Sequence, residues 1–147
     1  LGRHPDGTWR DARRFGLPAA HPGLAILRFD GPLHFVNAAT FEDAVLAVER
    51  EHPQLKVLLI SSAGINDIDA SGIDTLRRLR RQLAAGGRRL ACCGLKKQVI
   101  DVLERTGLWA ELGPHAAYRH EDDALPHLLP LLGAAPPPPP VRRGLEW

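Results

Sequence analysis

The sequence predicts an α/β domain, a mixed central sheet of four to five strands flanked by about four helices. Three observations predict it. The run "LKVLLI" at 55–60 has Leu, Val or Ile at five of six positions, the mark of a strand buried on both faces between helical layers. Short apolar runs alternate along the chain with segments whose apolar residues follow helical spacing. The 147 residues, 44% apolar and 24% charged, suit one domain with an ordinary core.

The elements follow in order. Residues 1–7 read as a flexible lead, and Trp9, Ala12 and Phe15 as a short edge strand with imperfect alternation. "LAILRFDGPL", 24–33, is a buried strand closed by Gly31-Pro32. Leu33 to Val36 can continue as a second extended piece. Asn37 to about His52 is a helix capped by Asn37 or Thr40, with Phe41, Ala44, Val45 and Val48 as its apolar stripe and Pro53 as its stop. The strand at 55–64 leads into a loop, then a helix from about Ser71 to Leu83 that Gly86 and Gly87 end. "RRLACCGL", 88–95, is a strand, and 96–107 is a helix carrying Val99, Val102 and Leu103, with Gly107 as its stop. Residues 116–119 suit a final edge strand. A helix over Glu121 to Leu132 is expected to break or kink at Pro126. The domain therefore spans 8–132. Residues 133–147, with five consecutive prolines, read as a flexible, Pro-rich tail of polyproline II or disordered chain.

Composition excludes several functions. A net charge of +2 does not argue for nucleic acid, and the basic stretch has no interleaved aromatic residues for base stacking. The seven histidines lack HxxxH or HExxH spacing and the two cysteines lack a CxxC gap, so no metal site is expected. Cys92 and Cys93 are strand neighbours that point to opposite faces, which disfavours a disulfide between them. No run approaches the roughly 20 apolar residues of a membrane span. The chain opens on Leu1 rather than Met, as expected of a piece of a longer protein. Neither a GxSxG elbow nor paired carboxylates in an apolar cleft occur, so no enzyme is expected.

The chemistry concentrates in "NDIDASGIDTL", 66–76. Ser71 followed by Asp74 makes a capping-box-like pair, so Ser71 can be an N-cap. It can equally be a phosphorylation site: a phosphate there would meet a helix N-terminus but be repelled by Asp67, Asp69 and Asp74. A partner or ligand contact is the third reading. Gly72 permits a close backbone approach. Without a Walker loop or GxGxxG, nucleotide binding would rest on this helix N-terminus with Arg77, Arg78, Lys96 or Lys97 nearby. The stretch "RRLRRQLAAGGRR" holds six arginines in thirteen residues, and Arg77, Arg78 and Arg81 fall away from the leucine stripe. They form a solvated face or a surface for anionic lipid or an acidic protein.

Four segments together carry a family resemblance. "LLISSAGINDIDASGIDTLRRL" resembles a STAS domain, and "LAILRFDGPLHFVNAATFEDAV", "GLKKQVIDVLERTGL" and "GTWRDARRFGLPAAHPGL" resemble the version in SulP-type (sulfate permease) anion transporters. The resemblance covers roughly residues 8–132. It implies a non-catalytic regulatory and interaction domain on the cytoplasmic side of the inner (plasma) membrane, within an integral membrane protein. The membrane part would move sulfate, bicarbonate or a dicarboxylate. Its partners would be that transmembrane domain, with a homodimer, an acidic protein such as acyl carrier protein, or anionic lipid as further candidates. No cofactor is implied beyond a possible role for GTP or ATP. The family also contains anti-sigma-factor antagonists, in which the serine before the glycine is the kinase target. Ser71 matches that serine, Asp69 matches the aspartate before it, and Ala70 departs from the serine often found there. A free-standing antagonist and a nucleotide-sensing module are therefore the alternatives.

Overall fold

The computed structural model describes residues 23–133, together with the backbone of residues 2–3 and 9–10. Strands β1 (Gly2–Arg3) and β2 (Trp9–Arg10) pair antiparallel in a sheet of their own. The remainder of the expected leading strand and the proline tail lie outside the described residues.

The main sheet has three parallel strands in the order β3 (Leu24–Arg28), β4 (Val57–Ser61), β5 (Arg89–Cys93). Leu24 lies opposite Val57, which lies opposite Arg89. Helix α1 (Phe35–Glu51) connects β3 to β4, and α2 (Ala70–Ala85) connects β4 to β5. Then follow α3 (Lys97–Arg105), α4 (Leu108–Leu112), a 3-10 turn at Gly113–Ala116, and α5 (Glu121–Gly133). Parallel strands need such crossovers, and the α/β class is as the sequence predicts. Where further strands were expected, Leu33 and Tyr118 instead make single parallel bridges, to Ile68 and Cys93.

The core explains the patterning. All five residues of β4 are buried, because both faces of the strand are covered. Leu58, Ile60, Leu90 and Cys92 face a cluster built from Phe41 and Val45 of α1, Ile73, Leu76, Leu79 and Leu83 of α2, and Val99 and Leu103 of α3. Val57, Leu59, Ala91 and Cys93 face the other way, onto Ala124, Leu128 and Leu131 of α5. Cys92 and Cys93 thus sit on opposite faces as free thiols. Burial pushes both up to about 12, which leaves them as small apolar fillers rather than nucleophiles.

Two elements differ from the sequence reading. Helix α5 runs through Pro126 and Pro130 without a break. Pro126 lies on the exposed side while Ala124 and Leu128 are fully buried, so packing of the apolar stripe outweighs the two hydrogen bonds that the prolines cannot make. Helix α4 was not expected at all. Its five residues are too few to show a period, yet Leu108 and Leu112 close the end of the core beneath α2 and α3.

Candidate functional site

The loop after β4 is built by a backbone crossing. Leu33 donates to the Asp67 carbonyl at 2.8 Å, and Asp69 N–H donates to the Leu33 carbonyl at 3.2 Å. This seats the chain after β3 directly over the start of α2. A Cβ at Gly72 would stand 2.1 Å from the Leu33 oxygen and 2.8 Å from Ile68 Cγ1. Glycine is needed there for space, as a close backbone approach requires.

The cap is Asp69, not Ser71. Helix α2 begins at Ala70, and Asp69 Oδ1 accepts the Gly72 N–H at 2.9 Å. The capping-box reading of Ser71 with Asp74 is therefore corrected: Ser71 is the second residue of the helix, past the capping position. Asp69 Oδ2 accepts the Phe35 N–H at 3.0 Å. That amide is the first of α1, whose own preceding residue, His34, gives no side-chain cap. One carboxylate thus caps two helices, and neither Asn37 nor Thr40 is at the start of α1. Asn37 Nδ2 instead donates to the Pro32 carbonyl at 2.8 Å. The Gly72 N–H, with further help from Phe35, His34 and Ser71, holds the Asp69 carboxyl below its ordinary value of 3.8.

Around this crossing lies a mixed surface. His34 Nε2 and Asp67 Oδ2 are 2.9 Å apart. Lys96 Nζ donates to Asn66 Oδ1, and Gln98 Nε2 to the Asn66 carbonyl at 3.2 Å. Ser71 is half-buried, and its hydroxyl makes no hydrogen bond among the described residues. Asp74 is exposed one turn further on. Beside the Asp69 carboxylate, Phe35 and Val36 are 76% and 79% exposed, the most exposed large apolar residues described. Sequence reading missed this pair, because residues that open a helix and belong to its outer face are identified only once the helix start is known.

The expected basic face is not one face. Arg77 Nε donates to Glu111 Oε2 at 2.8 Å, and Arg77 Nη2 to the Thr106 carbonyl at 2.8 Å. Arg80 and Arg81 reach Glu111 Oε1 at 3.2 and 3.4 Å. Arg78 pairs with Glu42 at 2.8 Å, and Lys97 with Asp101 at 3.4 Å. Lys96 belongs to the loop. Arg77's hydrogen bond, followed by the other arginines, holds the Glu111 carboxyl below its ordinary 4.5. Most of the arginine charge is therefore tied to internal carboxylates. Among the described residues no group of three or more His, Cys, Asp or Glu is placed to hold a metal ion, and no helix is long and apolar enough to cross a membrane.

A family model described as the STAS domain matches residues 18–124. "Probable sulfate transporter 3.5" of Arabidopsis thaliana is 24% identical over 127 residues, 85% of this chain and 20% of that protein. A probable sulfate transporter of Mycobacterium tuberculosis is 29% identical over 113 residues, 76% of this chain and 19% of that protein. The chain spans about a fifth of the length of the curated relatives it matches. Among solved structures, a sulfate transporter family protein from Wolinella succinogenes superposes with a TM-score of 0.68 at 25% identity, covering 86% of this chain and 100% of that one. The STAS domain of a SulP transporter from Vibrio cholerae gives 0.64 at 22%, covering 83% and 93%. The phosphorylated Bacillus cell fate determinant SpoIIAA gives 0.57 at 15%, covering 76% and 96%, a likeness of fold.

Proposed function

The chain belongs to the STAS domain family, and on that premise we propose that it is the non-catalytic regulatory and interaction domain of a SulP-type secondary anion transporter. It would work on the cytoplasmic side of the inner membrane, coupled to a transmembrane part that carries sulfate or a related anion. Similarity along 85% of this chain to one fifth of a protein named as a sulfate transporter supports this placement. The observation that carries an interaction role is the exposed pair Phe35 and Val36 beside the Asp69 crossing. An exposed apolar pair flanked by His34 and the Asp69 carboxylate is the composition of a contact patch, an apolar centre with a polar rim.

Two observations test the reading. The reading frame encoding Leu1 is expected to carry a series of apolar spans of about 20 residues upstream. A separate gene starting near Leu1, next to a kinase gene, would overturn it. In the intact transporter, Phe35→Ser with Val36→Ser is expected to lower anion uptake while the isolated domain keeps its melting temperature. Unchanged uptake would remove this patch from the coupling surface.

A second reading has one observation in its favour. The Ser71 hydroxyl is not consumed by capping, so it is chemically available to a kinase. In an antagonist switched by phosphorylation, the added charge would stand next to Asp67 and Asp69 and repel a partner seated on Phe35. Intact mass of protein from its native host decides this: absence of the phosphoryl mass in every growth condition would end it.

A further inference from the structure

The domain has two cores, one on each face of the sheet, and they are held unequally. Helices α1 to α4 all pack into the first, around Phe41, Leu79, Leu103 and Leu108. Among the described residues α5 is the one helix on the second, where Ala124, Leu128 and Leu131 meet Leu24, Ile26, Val57 and Leu59. Lifting α5 would therefore uncover the second core and leave the first intact.

Three features make α5 the helix that can lift. Pro126 and Pro130 have no N–H to give to the carbonyls of residues 122 and 126, so its own ladder lacks two bonds. Off the sheet, thirteen residues with two prolines fall short of the roughly 12–15 that even good helix formers need in water. Its first residue is pinned from below: Ser61 Oγ, at the end of β4, donates to Glu121 Oε2 at 2.6 Å. The helices of the first core are instead tied to one another, by Asp69, by Arg78 with Glu42 and by Arg77 with Glu111.

The two cysteines report on the two cores separately. Cys92 faces the first core and Cys93 the second, and both are 1% exposed. A reagent reaches Cys93 once α5 leaves, but reaches Cys92 only when α1 to α4 come apart.

We propose that α5 is a releasable strap, with the Ser61–Glu121 hydrogen bond as its pin. It leaves the sheet as a unit while α1 to α4 stay packed, and its release uncovers an apolar sheet face of Leu24, Ile26, Val57 and Leu59. Elements of low local stability open in this way, below the free energy of global unfolding. The strap lies on the opposite face of the sheet from α1 and α2 and does not depend on the transporter reading.

The test is brief labelling of the whole 147-residue chain with N-ethylmaleimide in native buffer, each cysteine followed by fragment-ion mass spectrometry. Cys93 should label at least tenfold faster than Cys92. Its rate should change little across low urea, whereas that of Cys92, which needs global unfolding, should climb steeply. Asp69→Ala, which weakens the first-core side, should speed Cys92 and leave Cys93 unchanged. Ser61→Ala should speed Cys93 roughly tenfold, the worth of a hydrogen bond to a charged group. That variant keeps the Glu121 carboxylate, so the change reads opening rather than altered thiol chemistry. Equal rates with the same urea dependence at both cysteines, equal acceleration of both by Asp69→Ala, or an unchanged Cys93 rate in Ser61→Ala would each overturn the proposal.

Discussion

Two carboxylates anchor α2, one at its start and one beyond its midpoint, and they do so by different means. Asp69 collects backbone amides, Gly72 at 2.9 Å and Phe35 at 3.0 Å, and so fixes where two helices begin. Glu111 collects side chains, three arginines at 2.8 to 3.4 Å, and so fixes where charge is spent. The first hub is set by chain geometry: its neighbours Leu33 and Gly72 touch through backbone atoms and cannot give way. The second is made of long flexible groups that can re-pair. The rigid hub leaves its outer side chains, Phe35, Val36 and Ser71, unspent and available to a partner. The adjustable hub has surplus positive charge.

The sharpest way to break this contrast is to substitute glycine at each end. Gly72→Val should destabilise the chain by about 3 kcal/mol or more, since the new side chain meets the Leu33 carbonyl. Gly86→Ala should cost less, about 1 kcal/mol, because its Cβ meets a side-chain atom, Arg88 Nη1 at 2.8 Å, which can give way by loosening its ion pair with Glu49, and its φ of −90° suits any residue. Urea unfolding of the two variants measures both. Equal losses would mean the two ends are not built differently.

Next in size is the cap. Asp69→Ala should lower the melting temperature by several degrees near neutral pH, as expected when one group that caps two helices is lost. Because the folded carboxyl of Asp69 is lowered, its contribution is full above the ordinary 3.8 and is lost as pH falls through the folded value. The gap between variant and parent should therefore close in strong acid. Glu111→Gln should give a smaller loss, full above its ordinary 4.5 and fading as pH falls through the lowered folded value by the same sign, and one that shrinks in high salt because this hub is partly exposed. A salt-insensitive Glu111 effect, followed by thermal melts at two ionic strengths, would make the hubs alike. Smallest of all, Ser71→Ala should change stability by less than about 0.5 kcal/mol. A larger loss would return a structural role to that hydroxyl.

How much was legible follows from these residues. Strand β4 and the stripes of α1 and α2 were readable because burial repeats at fixed local periods: Ile73, Leu76, Leu79 and Leu83 are the helical positions, and all are buried. Gly72 was readable as a close approach, though not what it approaches. The Ser71 cap was misread because the serine and aspartate are both good caps, two residues apart, and only the position of α1 selects between them. Helix α4 and the pairing of Arg77, Arg80 and Arg81 to Glu111 were invisible, since their partners lie about thirty residues apart in the chain.

The sequence by itself determined the α/β class, the buried strand, the helical stripes and the landmark loop, because each depends on local spacing between neighbouring residues. Only the tertiary structure decided that one aspartate serves two helices, that Phe35 and Val36 stand outside, and that the arginines divide between Glu111, Glu42 and Glu49. Those outcomes depend on distances between segments far apart in the chain, and no local pattern encodes such a distance.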